Sequence, residues 1–302
     1  MSDVPVRPDR PNRSADPARP TGRAPGTRSS RTVKALILIP VLAVMLVPAY
    51  LLVVNAFKSQ QDITQTPFSI PWGRLTLHYL AATFSSPEYS LAKAYVVTVG
   101  FVIAVNLLSL AVSGPVAYVI ARGTTRRYRV MLGLFLVGLF IPAQVLVIPV
   151  IYVLKTVNLM GTVTGFVLFE TTLTLPTTMF LFVSYIKTVP RELDEAACVD
   201  GAGPITTFWR IVFPLMRPAV VTAVILNTIG VWTDFVDPQI ILGPGSSLYT
   251  VTTSVYAAIG QYTTNYTVVY PNLLIAVIPV LVFFVVMQRH IVSGLTSGAT
   301  KG

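Results

Sequence analysis

Six predominantly apolar stretches, each long enough to cross a bilayer as a helix, divide this sequence: 35–54, 95–121, 130–154, 163–186, 218–236 and 273–292. A hydrocarbon core takes about 20 helical residues to cross. A spanning element must also satisfy its own backbone hydrogen bonds, because lipid offers none. The expected fold class is therefore an all-α membrane protein with six transmembrane helices. Composition agrees: 53% of residues are hydrophobic and only 11% charged, against about 25% charged in soluble domains. The polar surface that an ordinary soluble enzyme needs is missing.

The six stretches are not alike. The fourth is interrupted by Glu170, several threonines and Pro176, whereas the first, third and sixth read as strong, continuous spans. The second carries Asn106 and Gly114-Pro115, where a bend is expected. Ahead of them, residues 1–31 hold seven Arg and six Pro, with Met1, Val4 and Val6 as the only large apolar side chains. Such a segment cannot bury enough surface to offset its ordering entropy, so a disordered tail is expected there, with a membrane domain over 32–302. The run 35–54 is longer than the roughly 7–15 residues of a signal peptide's apolar region, and reads as a retained first span.

Charge sets the orientation. The net charge is +10, yet its distribution does not suit nucleic acid. Eighteen Lys and Arg lie in the tail, in 122–129, in 187–217 and at the C-terminus, which all fall on one side. Lys58, Arg74, Lys93 and Lys155, four in all, fall on the other. Cytoplasmic loops carry the excess of basic residues, so both termini are expected in the cytoplasm and 122–129 against anionic lipid. The outer loops 55–94 and 237–272 are rich in Thr, Ser, Tyr, Gly and Pro, which suits small folded caps or solvated connectors equally. A single cysteine, Cys198, and two histidines leave no cysteine- or histidine-based metal centre.

One loop on the basic side is too long and too patterned for a connector: TVPRELDEAACVDGAGPITTFWRIVFPLMRP, from Thr188. Pro190 suits a helix start, and Glu192, Asp194 and Glu195 complement the positive end of its dipole. Gly201 and Gly203 supply a stop, and Pro204 opens a second short helix holding Phe208, Trp209 and Ile211, ended by Pro214. Small residues at the bend, Ala196, Ala197 and Ala202, let another surface approach closely.

Glu195-Ala196-Ala197, three residues, Gly201, nine residues, Ile211, one residue, Phe213-Pro214 resembles the E-A-A-x3-G-x9-I-x-L-P loop of permease subunits of binding-protein-dependent ABC importers, with Phe213 in place of Leu. Tyr118-Val-Ile-Ala-Arg122 is similar to the A-Y-A-x-A-R end of the second span in their sugar branch. The tail from Gln288 to Gly302 resembles that of the maltose-type second permease. The resemblance implies the type I permease fold of ABC importers, in a bacterial inner membrane. It implies a coupling element of Glu195, Ala196, Ala197, Asp200, Gly201, Ile211 and Pro214 that docks on an ATPase subunit. It also implies a second permease, an external solute-binding protein, and ATP-Mg used only by the ATPase, with no cofactor on this chain. Without a partner, the same loop is a surface amphipathic helix pair.

Other residues admit two readings each. Glu170 lies inside a span, where ionisable groups are costly; it suits a substrate path or a structural acid. Asn227 and Asp234 suit the same path, though for Asn227 and Asn106 interhelical bonding is the simpler role. Trp232 suits a sugar-facing mouth or an aromatic belt, the belt being the simpler role, and Cys198 a small buried side chain. No phosphate-binding loop, zincin motif or nucleophile elbow occurs, so no catalytic residue is expected. A secondary carrier and a permease for a non-sugar solute remain the rivals.

Overall fold

The computed structural model describes residues 28–85, 91–243, 248–257, 259 and 264–297. Among them no strand forms beyond one isolated bridge between Ile259 and Thr264. The chain divides into two compact units, Met1–Pro48 and Ala49–Gly302. The first consists, as described, of the leading part of α1 (Arg28–Asn55), which runs through Pro40 and Pro48. α1 thus begins within the stretch read as an unstructured tail, whose residues 1–27 lie outside the described part.

In the second unit, two short helices follow α1: α2 (Gln60–Gln65) and α3 (His78–Ser85). Then come α4 (Leu91–Arg122), α5 (Arg126–Val137), α6 (Ala143–Thr156) and α7 (Val163–Ile186). The 188–217 loop carries α8 (Glu192–Val199), α9 (Pro204–Thr207), a π-turn Phe208–Val212 and α10 (Phe213–Leu215). The chain closes with α11 (Arg217–Thr233), α12 (Val236–Ile241), α13 (Val251–Ala257) and α14 (Tyr266–Ser297).

Four helices are individually long and apolar enough to cross a membrane, and six spans result if two bent pairs count as one each. The third stretch, read as one strong span over 130–154, is not a continuous helix. α5 and α6 meet at 106°. The cause is Ile141-Pro142: a residue before proline is pushed out of the helical region, and Ile141 takes φ −92°, ψ 115°. The fifth span is led in by Pro204–Leu215 at 77° to α11. By contrast, α4 continues as one helix through Gly114-Pro115.

α7 packs on α4, α5, α6, α11 and α12, and it buries the largest share of the four continuous spans. Several of its polar residues turn inward. Thr174 donates to Ser109 of α4 at 3.1 Å, and the Ser109 and Thr178 hydroxyls share a bond at 3.3 Å. Asn106 donates to Thr228 of α11 at 3.2 Å. Trp232 is half-buried between helices: it donates to Ala276 at 3.4 Å and packs edge-on against Tyr95 at 5.7 Å.

The 56–85 segment is a folded cap. Lys58 is fully buried, and its ammonium donates to the carbonyls of Thr66 at 2.8 Å and Pro67 at 3.2 Å. Burial pushes its pKa down, opposed by the nearby Asp62 carboxylate. Gln60 ties the cap to the start of α14 through Thr264 and the Tyr266 amide. Lys58→Met keeps the stem but leaves two carbonyls without their donor, at a cost of about 1–3 kcal/mol. Limited proteolysis of membranes should then cut 56–77 faster than in the parent chain; equal rates would exclude this role for Lys58.

Candidate functional site

The 188–217 loop folds as two helical arms around a glycine turn. Acidic residues fill the first turn of α8, Glu192, Asp194 and Glu195, where the helix dipole favours them. α8 closes with a Schellman motif: the Gly201 amide bonds to Cys198 at 3.0 Å and the Ala202 amide to Ala197 at 2.9 Å. That closure needs a left-handed residue, and Gly201 takes φ +81° with open space where a Cβ would stand. Pro204 then starts α9 at a position where its missing N–H is no loss.

The two arms have opposite faces. Glu195, Ala196, Cys198, Val199, Asp200, Gly201 and Pro214 are exposed, Ile211 is half-buried, and Ala197 is buried. Val199 is 88% and Ile205 75% exposed, an apolar pair flanking the turn. Cys198 is exposed, contrary to the buried side chain expected for it; α8 turns only Ala197 of its residues fully inward. On the inner side, Phe208, Val212 and Met216 are buried in one cluster with Ala117, Ile120 and Ala121 of α4 and Phe182, Val183 and Ile186 of α7. Phe208 lies so close to α4 that a Cβ on Gly114 would come within 3.0 Å of its ring.

Arg122 departs from the expectation for the basic segment. It is largely buried and turned away from a lipid-contact role: its guanidinium meets Asp194 of α8 at 2.6 Å and donates to Val189 at 2.9 Å. Arg127 does stay on the outside, over the Tyr128 ring at 4.7 Å.

A second grouping was not visible as one in sequence. Glu170 of α7, Asp234 at the end of α11 and Asp237 of α12 bring one carboxylate oxygen each within 4.8 Å of the others. Glu170 and Asp237 are buried. Asp234 accepts from the amides of Val236 and Asp237 and so caps α12. Asn227, also buried, has no partner for its side-chain nitrogen among the described residues. Asp237 escapes sequence reasoning because only the fold brings α12 against α7.

Apolar helices long enough to cross a membrane, two of the spans broken, accompany the exposed helix–turn–helix, and the comparisons with known proteins give the class. Residues 113–297 match the family of binding-protein-dependent transport system inner membrane components. The multiple sugar-binding transport system permease protein MsmG of Streptococcus mutans is 33% identical over 85% of this chain and 92% of its own. The melibiose/raffinose/stachyose import permease protein MelC of Bacillus subtilis is 28% identical over 93% of this chain and 100% of its own. A crystal structure of a bacterial ABC transporter that imports the acidic polysaccharide alginate contains the same fold, with TM-score 0.74, 20% identity, and coverage of 87% of this chain and 98% of that one. The chain belongs to this inner-membrane permease family. It is a multi-pass transport subunit, not an enzyme, and ATP hydrolysis resides on a separate subunit.

Burial, then the charge of Asp234, push the Asp237 carboxyl up from its ordinary 3.8 to about 6. Ionising it therefore costs more in the folded chain than in the unfolded one. The penalty is absent below its ordinary value and complete once pH has risen through its folded value. Asp237→Asn removes it. The thermal midpoint of the purified protein should rise by about 2–4 °C near pH 7.5 and by less near pH 5; a pH-independent shift would contradict this assignment.

Proposed function

We propose that the chain is one of two permeases in an ATP-driven importer of a sugar or oligosaccharide, received from an external solute-binding protein. The carbohydrate assignment is supported by the names of MsmG and MelC. Both termini and the 188–217 loop lie in the cytoplasm, as the eighteen-to-four distribution of basic residues favours. The chain binds no cofactor; ATP-Mg is used by the ATPase subunits.

The observation that carries the proposal is the exposed pair Val199 and Ile205, projecting on either side of a left-handed Gly201. Exposed apolar side chains beside a turn with no Cβ are a docking knob. Glu195, Ala196 and Asp200 share the exposed side of the loop, and the ATPase is the partner it suits. Ala197, Ile211 and Pro214 set the shape of the two arms. Glu170 and Asn227, buried in the bundle, and the half-buried Asp234 are assigned to the substrate path.

Val199→Asp and Gly201→Asp test this directly. The tagged chain, extracted in mild detergent from its host, should bring down an ATPase, a second permease and a binding protein, identified by mass spectrometry. The variants should remain in the membrane, lose the ATPase from the pull-down by about tenfold or more, and abolish uptake of the sugar that the recovered binding protein selects. Undiminished ATPase recovery with both variants would reject the docking role.

A further inference from the structure

Three residues on one face of α4, at successive i, i+4 positions, contact both arms of the 188–217 loop. Gly114 leaves room for the Phe208 ring, which would otherwise meet a Cβ at 3.0 Å. Tyr118 lies beside that ring, with centroids 5.4 Å apart, and its hydroxyl donates to Asp194 at 2.5 Å. It therefore touches both arms of the loop at once. Arg122 meets the other oxygen of Asp194 at 2.6 Å and donates to the carbonyls of Ile186, at the end of α7, at 3.3 Å and of Val189, in the link to α8, at 2.9 Å. Arg191 reciprocates by donating to the Arg122 carbonyl at 3.4 Å.

The contact has the character of a clasp and not of a surface ion pair. The two side chains are only 15% and 19% exposed, so solvent screens them little. Arg122 joins three groups that the chain separates: the last turn of α4, the end of α7 and the first turn of α8. α7 and α11 are covalently continuous with the loop and follow it directly. α4 is about seventy residues away in sequence, so a displacement of the loop reaches it only through contacts such as these.

We infer that Tyr118 and Arg122 are positioning residues that, by holding Asp194, pass movement of the ATPase-docked loop to the α4 span. This inference rests on the docking role proposed for the loop. The ring of Phe208 supplies the apolar seat, and the Asp194 clasp fixes its angle. Without the clasp the loop still docks, and only the apolar packing of Phe208, Val212 and Met216 against α4 is left to carry its movement.

The test uses the complete importer, purified with its ATPase, in lipid vesicles. A nitroxide is placed at Val96→Cys, 74% exposed near the other end of α4, in a Cys198→Ser background. The probe is ATP-Mg with vanadate, and ATP hydrolysis is recorded on the same samples. In the parent, trapping the ATPase should change the Val96 signal. Tyr118→Phe, which keeps the ring on Phe208, and Asp194→Asn, which keeps the volume, should each cut that change about fivefold or more, with ATPase retention unaltered. Asp194→Glu, which keeps the charge, should recover most of it.

Parent-like signal changes in both Tyr118→Phe and Asp194→Asn would overturn the inference while leaving the docking role intact. Loss of the ATPase from either variant would overturn it too, by making the clasp part of docking and not of transmission. If the parent binds an ATPase but gives no signal change, α4 does not follow the loop. Gly201→Asp is carried in parallel: if it retains the ATPase and the full signal change, the docking reading itself fails, and the inference with it.

Discussion

Hydrocarbon supplies no hydrogen-bond partners, so polar side chains placed within a span are driven towards the protein interior and away from lipid. α7 is where this constraint acts most strongly. Its Thr174 and Thr178 bond to Ser109 of α4, and Glu170 and Thr171 are buried. A helix with this content cannot face lipid on those sides, which places it in the middle of the bundle, against α4, α11 and α12. Once α7 is central, its end at Ile186 hangs the 188–217 loop beneath the α4–α7 pair. The polar interruptions that weaken 163–186 as an isolated span are thus what locate the loop.

The loop itself was legible because its signals are local. Acidic residues in a first turn, a glycine after the last turn and a proline at the next helix start each act within a few residues, and α8, Gly201 and α9 fall where those residues put them. Span number was legible for a similar reason, since length and apolarity are properties of a contiguous stretch. Continuity was not. Residues 130–154 satisfy both criteria, yet Ile141-Pro142 breaks them into α5 and α6. A proline in an apolar run is carried within a helix or ends it, as the contrast between Pro115 and Pro142 shows, and which occurs depends on packing that the run does not encode.

Charges were the least legible residues. Lys58 and Arg122 both counted as loop charges for orientation, and both are largely buried and bonded to backbone carbonyls. A long basic side chain serves solvent, lipid or the end of a helix with the same atoms, so its role is set by what the fold brings within reach. The same holds for Glu170, Asp234 and Asp237. They are separated by up to 67 positions, and the approach of their carboxylates follows only from α12 folding back against α7.

The faces of the 188–217 loop make mechanical sense together. α8 has eight residues, too few to persist as an isolated helix, so its rigidity is borrowed from what holds it. Below the turn, Phe208, Val212 and Met216 are locked among side chains of α4 and α7. Close-packed interiors transmit displacement because they have little free volume in which to absorb it. On the outer side, Val199 and Ile205 stand free at the two ends of the short turn that carries the left-handed Gly201. A knob that a partner can grip, joined by a stiff turn to a wedge that cannot shift alone, converts a push on a small surface into movement of the spans behind it. The exposed and the buried halves of the loop are therefore one device, and each half would be without purpose in the absence of the other.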